Sequence, residues 1–202
     1  MNSSIGFFTG YYYTTVFAAK DDLIVEYTYL RNRDFFKAIA NQLDGLIKRN
    51  FEDEKISFIS IYTGVAPLST LRAVCAWVQG WRRASGIPVV AINDTKYMRS
   101  NKEVSLVVNM FGGKFAIIES DELIYMTDRE AFYNGLMQRL GRFECVYSVS
   151  IPDCFINRLD VSFVITPDLK SFAEDSFNKY SNKRLSTIEG IVPNFEKAIK
   201  LL

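Results

Sequence analysis

The sequence predicts an α/β protein in which one order of strands and helices occurs twice along the chain. Two observations carry this prediction: three consecutive strand-like segments lead into a helical pattern near residue 5, and the same order begins again near residue 104. The composition, 49% hydrophobic and 23% charged, is that of an ordinary globular protein. With 202 residues the chain is long enough for two small lobes. We therefore predict an N-terminal lobe over residues 1–100 and a smaller, divergent C-terminal lobe over residues 101–202.

The first half contains five predicted strands and two predicted helices. β-Branched and aromatic residues indicate strands over residues 5–8, 12–18, 23–30, 56–62 and 87–92. Apolar residues at helical spacing, starting with Phe35 and Ile39, predict a first helix over 33–50. A second helical pattern follows Pro67 and ends before Gly86, a typical glycine just after a helix. The predicted order is therefore β-β-β-α-β-α-β.

The second half repeats this order in part. Strands are predicted over residues 104–110, 115–119 and 123–126, followed by a helix over 128–140 and a strand over 143–149. Further along, the pattern indicates a helix over 167–180, an extended segment over 185–192 and a terminal helix over 193–202. A β-β-β-α-β-α-β unit matches the ribonuclease-H-like fold, and two such lobes in tandem match the actin-like ATPase fold.

Composition excludes several classes of function. The chain has no histidine, so it lacks the Ser-His-Asp and Cys-His couples of many hydrolases and has no histidine ligand for zinc. Its three cysteines form no Cys-x-x-Cys pair, which favours a reducing, cytoplasmic environment. A net charge of +1 gives no overall attraction to nucleic acid. Residues 1–19 lack the basic start of a signal peptide, and no run of eighteen apolar residues predicts a membrane span.

A resemblance to a known family is carried by residues 56–92. The strand, loop and helix of residues 56–72 (ISFISIYTGVAPLSTLR) resemble a degenerate form of the TsaB (YeaZ) signature, whose loop reads G-P-G-S-F-T-G-L/V-R. Gly64, Leu71 and Arg72 match that signature, and Ser69 replaces its threonine. The following strand, G-I-P-V-V-A-I, is also similar to the family pattern. This bacterial family acts with TsaD in making threonylcarbamoyladenosine on transfer RNA.

Two departures from the family pattern bear on catalysis. Thr9 stands where related actin-like proteins carry an acidic residue at the end of the first strand. Asn109 replaces the acid of the second hairpin, and Phe111 replaces its arginine. Because Mg²⁺ bound to nucleotide needs carboxylate ligands, we expect no cofactor, no ATPase activity and no kinase activity. The loop over residues 63–70 has two interpretations: it binds phosphate, or it is simply the start of a helix capped by Ser69. We prefer the capped helix start.

The second helix carries apolar residues on two sides. Leu71, Val74, Cys75 and Val78 form a stripe that should pack on the sheet. The other side combines small residues with two tryptophans and is predicted to be an interface, unless the helix of residues 33–50 covers it. In TsaB-type proteins the two N-terminal helices pair with TsaD or with a second copy. That resemblance implies as interface residues Phe36, Ala40, Ala73, Ala76, Trp77, Gly80 and Trp81.

The sequence therefore predicts a non-catalytic, divergent TsaB-like scaffold. Its expected partners are a TsaD-type catalytic subunit, a TsaE-type ATPase, and a second copy of itself when alone. Contact with transfer RNA would be indirect, and no membrane contact is expected. Two other functions remain open: an actin-fold small-molecule kinase or ligase, and a homodimeric interaction domain without nucleotide chemistry.

Overall fold

The computed structural model describes residues 2–10, 13–51, 55–64, 66, 68–98, 105–109, 115–119, 122–126, 142–145, 160–162 and 167–186. The helices in these ranges are α1 (Phe35–Phe51), α2 (Leu68–Ser85) and α3 (Leu169–Ser181). The strands are β1 (Ser3–Thr9), β2 (Tyr13–Lys20), β3 (Leu23–Arg31), β4 (Ile56–Tyr62), β5 (Val89–Ile92), β6 (Ser105–Asn109), β7 (Phe115–Glu119), β8 (Glu122–Met126), β9 (Arg142–Cys145) and β10 (Asp160–Ser162). Short 3₁₀ turns lie at Asn32–Asp34 and Thr95–Met98.

The first sheet has the strand order β3-β2-β1-β4-β5. Strands β1 to β3 form an antiparallel meander, whereas β4 pairs with β1, and β5 with β4, in parallel. Parallel neighbours need a crossover connection, and α1 and α2 supply it before β4 and β5. This order is the ribonuclease-H-like order, so the fold predicted for the first half is confirmed.

Helices α1 and α2 cover one face of this sheet. Side chains alternate along a strand, and Ile5 and Phe7 of β1 join Ile59 and Ile61 of β4 in a single hydrophobic cluster. Both helices contribute their apolar stripes to that cluster through Phe35, Ile39, Leu43, Leu46, Leu71, Val74, Cys75 and Val78. The two helices therefore share one core and lie on the same side of the sheet.

Helix α3 covers the opposite face. The Phe172 ring lies 5.4 Å from the Phe8 ring and 6.1 Å from the Phe17 ring, between centroids, and both contacts are edge-to-face. Farther along the helix, Tyr180 stacks on Phe58 at 4.5 Å. Edge-to-face and offset-stacked contacts are the arrangements that aromatic pairs prefer. Several of the chain's many phenylalanines are thus used to bind this helix to the sheet.

The second sheet, taken by itself, repeats the order of the first. Its order from one edge is β8-β7-β6-β9-β10. As in the first sheet, three strands form an antiparallel meander, and two more are added in parallel. The three strands predicted to follow residue 104, and the return of a strand near residue 143, are therefore confirmed, whereas the helix predicted between them lies outside the described residues. Strand β10 was not predicted, because it falls where the sequence has no clear periodicity.

The chain divides into two compact units, Met1–Asp94 with Leu169–Phe195 and Thr95–Asp168 with Glu196–Leu202. The predicted boundary at residue 100 assigned the helix that begins near residue 167 to the second lobe. Its aromatic side chains instead pack on the first sheet, so α3 belongs to the first unit. Among the described helices, none combines the length and the apolar character needed to cross a bilayer.

Several predicted elements lie outside the described residues. These are the helix over 128–140, the terminal helix over 193–202 and most of the extended segment over 185–192. Strand β9 ends at Cys145, and residues 146–149 of the strand predicted there also fall outside.

Candidate protein-interaction surface

The inner side of α2 is buried as its spacing predicted. Leu71, Val74, Cys75 and Val78, spaced by three, one and three residues, are each at most 3% exposed. This i, i+3, i+4, i+7 pattern places one side of the helix against the sheet. The predicted packing stripe is therefore confirmed, and it fixes which side of α2 faces away from the core.

The outer side of α2 is accessible. Ala76 and Gly80 are exposed and Ala73 is half-buried. A methyl group placed on Gly80 would meet no atom of a described residue within 4 Å. The alternative that helix α1 covers this side is not observed for Ala76 and Gly80 among the described residues. Small exposed residues one turn apart let the backbone of a second helix approach closely.

Two tryptophans flank these small residues and are anchored in the core. Trp77 and Trp81 are half-buried, one turn apart, with ring centroids 5.2 Å from each other. Both contact the fully buried Phe7 of β1, at 5.6 Å and 6.4 Å respectively. Because one edge of each indole is held by the core, the remaining exposed part is fixed in place. Rigid aromatic anchors of this kind lose little conformational entropy when a partner covers them.

Helix α1 adds an exposed aromatic residue on the same side of the sheet. Phe36 is 64% exposed, although its neighbour Phe35 is buried and lies 5.6 Å away between ring centroids. Ala40, one turn later, is also exposed. We refer to the residues predicted at the interface, Phe36, Ala40, Ala73, Ala76, Trp77, Gly80 and Trp81, as the helical surface. All seven have accessible area, so none is lost to the protein's own core.

The C-terminal end of α2 is fixed by a glycine and an arginine. Gly86 has φ +72°, and its N–H donates to the carbonyl of Arg82 at 2.8 Å, which confirms the predicted helix stop. The Arg82 guanidinium donates to the Ser186 carbonyl at 2.8 Å. Ser186 N–H in turn donates to the Val89 carbonyl, and the Ala91 N–H donates to Ser186 Oγ. This contact ties Arg82 to a residue 104 positions away, and no local pattern in the sequence indicates it.

The degenerate family loop connects β4 to α2, and Thr63, Gly64 and Ala66 are its described residues. A side chain on Gly64 would collide with the Tyr62 ring and would lie 2.9 Å from the Asn93 carbonyl oxygen. Close packing therefore explains this glycine without a ligand. Ser69 lies inside the first turn of α2, which begins at Leu68, and not at the cap position that was expected. Arg72 is exposed on the same helix.

The position of the first missing acid does not suit a metal ion. Thr9 ends β1, is completely buried, and its Oγ1 has no hydrogen-bond partner among the described residues. A magnesium ion prefers carboxylate oxygens with room for bound water. Asn109 ends β6, and the structure describes its backbone alone. In the described parts of the chain no three Asp, Glu or Cys side chains gather as a metal would require.

Cys75 is a buried thiol within the inner stripe. It is 3% exposed, and burial raises its pKa from 9.0 to about 12. Desolvation favours the neutral thiol over the thiolate, which is the reactive form. Cys75 therefore acts as a small hydrophobic residue, as its place on the predicted stripe indicated.

A second exposed apolar region was not predicted as a site. It lies on β3, where Val25, Tyr27 and Tyr29 are 47%, 53% and 53% exposed. Tyr13 of β2, 46% exposed, extends it through an edge-to-face contact with Tyr29 at 6.3 Å. The sequence signal was the run of large residues at every second position of L-I-V-E-Y-T-Y-L-R, which alternation places on one face.

Comparisons with known proteins identify the fold. The sequence matches no protein-family model and no curated protein. The structure is similar to YeaZ from Pseudomonas aeruginosa, with 10% identity and a TM-score of 0.62, over 96% of this chain and 99% of that one. It is also similar to an uncharacterized protein described as resembling peptidase YeaZ from Pseudomonas aeruginosa, with 13% identity and a TM-score of 0.58, over 96% and 98% of the two chains. The predicted resemblance is confirmed at the level of structure: this chain has the fold of YeaZ.

Proposed function

We propose that this protein is a non-catalytic, TsaB-like scaffold that binds a TsaD-type subunit through the helical surface. In this role it supports the modification of adenosine 37 of transfer RNA in the cytoplasm, together with a TsaE-type ATPase. Contact with the transfer RNA would pass through the TsaD-type subunit. In the absence of that subunit, a second copy of the chain would occupy the same surface.

One observation carries the proposal most directly: the outer side of α2 is accessible and shaped for helix packing. Ala76 and Gly80 leave space for a backbone, and Trp77 and Trp81 stand beside them on a buried support. Exposed apolar area next to rigid aromatic anchors is typical of protein interfaces. The fold shared with YeaZ supports the same assignment, since the family resemblance implies a partner contact through these two helices.

The proposal that the protein is not a catalyst is based on the first hairpin. Thr9 offers a buried hydroxyl where metal-bound phosphate would need a carboxylate. The rival actin-fold kinase or ligase requires that carboxylate, and Gly64 has a packing role that needs no phosphate. These features favour a scaffold over a nucleotide-using enzyme.

The decisive experiment is co-purification with the TsaD-type subunit of the same organism. The wild-type chain should bind it in a one-to-one complex, and Ala76→Arg or Gly80→Arg should reduce binding at least about tenfold, because a long charged side chain blocks close helix packing. Ser181→Arg, at the exposed end of α3 on the other side of the sheet, is the matched control and should bind like wild type.

Three outcomes separate the alternatives. Binding of the TsaD-type subunit that only the helical-surface variants lose supports the proposal. Saturable binding of Mg²⁺-ATP by the isolated chain, with turnover, would instead favour the kinase or ligase. Self-association at the helical surface without TsaD binding would favour the homodimeric interaction domain.

A further inference from the structure

The two edges of the first sheet differ in how their backbone groups are covered. At the β5 edge, Ser186 exchanges hydrogen bonds with Val89 and Ala91 and accepts one from Arg82. At the other edge, β3 has β2 as its single strand neighbour in the described sheet. An edge strand presents a row of backbone donors and acceptors to which another strand can pair.

Strand β3 lacks most of the features that protect such an edge. It is nine residues long and contains no proline, glycine or lysine. A bulge interrupts its register with β2 opposite Ala18 and Ala19, but from Glu26 to Arg31 the pairing is regular. Glu26 does not project freely either, because it accepts hydrogen bonds from Arg49 and Asn50 of α1. The strand is therefore long and regular enough to add a neighbour.

The exposed side chains of β3 suit a partner strand. Tyr27 and Tyr29 contact each other edge-to-face at 5.4 Å and lie in register with Phe17 and Thr15 of β2. Cross-strand aromatic and β-branched pairs are among those that stabilise antiparallel sheets most. A strand added beside β3 would cover the tyrosines and extend the aromatic ladder.

The charges at the two ends of β3 favour a second copy of this chain as the partner. Asp21 and Asp22 stand immediately before the strand, and Arg31 stands at its end. Arg33, just beyond the strand, is in an ion pair with Asp34 at 3.4 Å, so Asp22 and Arg31 carry the argument. Asp22, Arg31 and Arg33 are exposed. Two copies of β3 placed antiparallel about a twofold axis near Tyr27 bring the acidic end of each beside the basic end of the other. A parallel arrangement would oppose like charges, so the pattern is self-complementary in the antiparallel sense.

We propose that the β3 edge is a second self-association surface, at which two copies of this chain pair β3 with β3 in antiparallel fashion. The two first sheets then join into one continuous sheet across the dimer. A single strand pair buries less than a standard interface of roughly 1,600 Å², so the dimer should be weak, with a dissociation constant of about micromolar. This surface is separate from the helical surface and does not depend on the proposed function.

The test measures the dissociation constant of the full chain by sedimentation equilibrium in an Ala76→Arg background, which removes pairing through the helical surface. The background chain should still dimerise. Tyr27→Lys, which places a charge on the edge, should weaken the dimer about tenfold or more. Lys48→Glu, an exposed charge change on α1, is the control and should have no effect.

A charge exchange tests the antiparallel arrangement itself. Asp22→Arg and Arg31→Asp should each weaken the dimer about threefold or more, and the double variant should return to within about twofold of the background. Circular dichroism should show all variants folded, since both positions are exposed. A background chain that stays monomeric, a dimer insensitive to Tyr27→Lys, or a double variant as weak as the single ones would each overturn the proposal. Capture of a different extended peptide by a monomeric chain would also overturn it.

Discussion

The two sides of α2 are both apolar, yet the structure uses them for different purposes. The inner stripe of Leu71, Val74, Cys75 and Val78 is buried against the sheet. On the outer side Ala76 and Gly80 are exposed. The two tryptophans, which both contact Phe7, lie at the boundary between the inner and outer sides. The comparison shows that a helix with apolar residues on all sides can still leave one of those sides exposed. Here one side stabilises the fold and the other remains available to a partner.

The largest expected effect comes from placing the same charge on each side. Val78→Arg should unfold the first unit, losing more than about 4 kcal/mol, because an unpaired guanidinium cannot be buried in the core. Ala76→Arg should change the free energy of unfolding by less than about 0.5 kcal/mol. Urea unfolding followed by circular dichroism measures both, and similar losses at the two positions would remove the distinction between the sides.

A second effect is confined to the inner stripe and depends on pH. The folded state keeps Cys75 protonated with a pKa of about 12, whereas the unfolded chain releases that proton near 9. Stability from this group is therefore complete below pH 9 and is lost as the pH rises toward 12. Over that range the free energy of unfolding of wild type should fall about 1.4 kcal/mol per pH unit more steeply than that of Cys75→Ala. Parallel pH profiles of the two proteins would contradict the burial of the thiol.

Substitutions at two glycines test the same comparison between an exposed and a buried environment, with smaller expected effects on stability. Gly80→Ala should raise the free energy of unfolding by about 1 kcal/mol, because the exposed position has room for a methyl group and alanine favours the helix. Gly64→Ala should lower it by about 1–3 kcal/mol, since the new methyl would press on Tyr62 and the Asn93 carbonyl. Thermal unfolding of the two variants is the measurement, and a destabilised Gly80→Ala would mean that this side of α2 is already covered.

The smallest effect is optical. The chain has two tryptophans, Trp77 and Trp81, so all indole emission reports the boundary between the two sides of α2. Half-buried indoles should be partly quenched by acrylamide, and a partner on the helical surface should reduce that quenching and shift the emission to shorter wavelength. Ala76→Arg should abolish the change on mixing with the TsaD-type subunit. Emission that does not respond to a bound partner would place the contact elsewhere.

Much of the first unit could be predicted from local pattern. The packing stripe of α2 follows from spacings of three and four residues, and the helix stop at Gly86 follows from the one residue type that adopts positive φ without cost. The spacing of small and aromatic residues also placed Ala73, Ala76, Trp77, Gly80 and Trp81 on one side of α2. Phe36 and Ala40 of α1 came from the family resemblance and not from this pattern. Their accessibility was not predictable, since it depends on where α1 lies.

Other features depend on contacts between distant parts of the chain. The helical period of residues 167–180 predicted α3, but its place on the first sheet depends on Phe172 and Tyr180 meeting Phe8, Phe17 and Phe58. The role of Arg82 depends on Ser186 in the same way. The open edge at β3 could not be read from its alternation, because alternation gives the two faces of a strand and not its position in a sheet.

The sequence alone determined the strands and helices of the first unit and the return of three strands near residue 104, because periodicity is a local property. The tertiary structure decided which apolar side chains stay accessible and which edge of the sheet stays open. Exposure depends on how segments that are far apart in the chain pack together, and a local sequence pattern does not indicate which segments will meet.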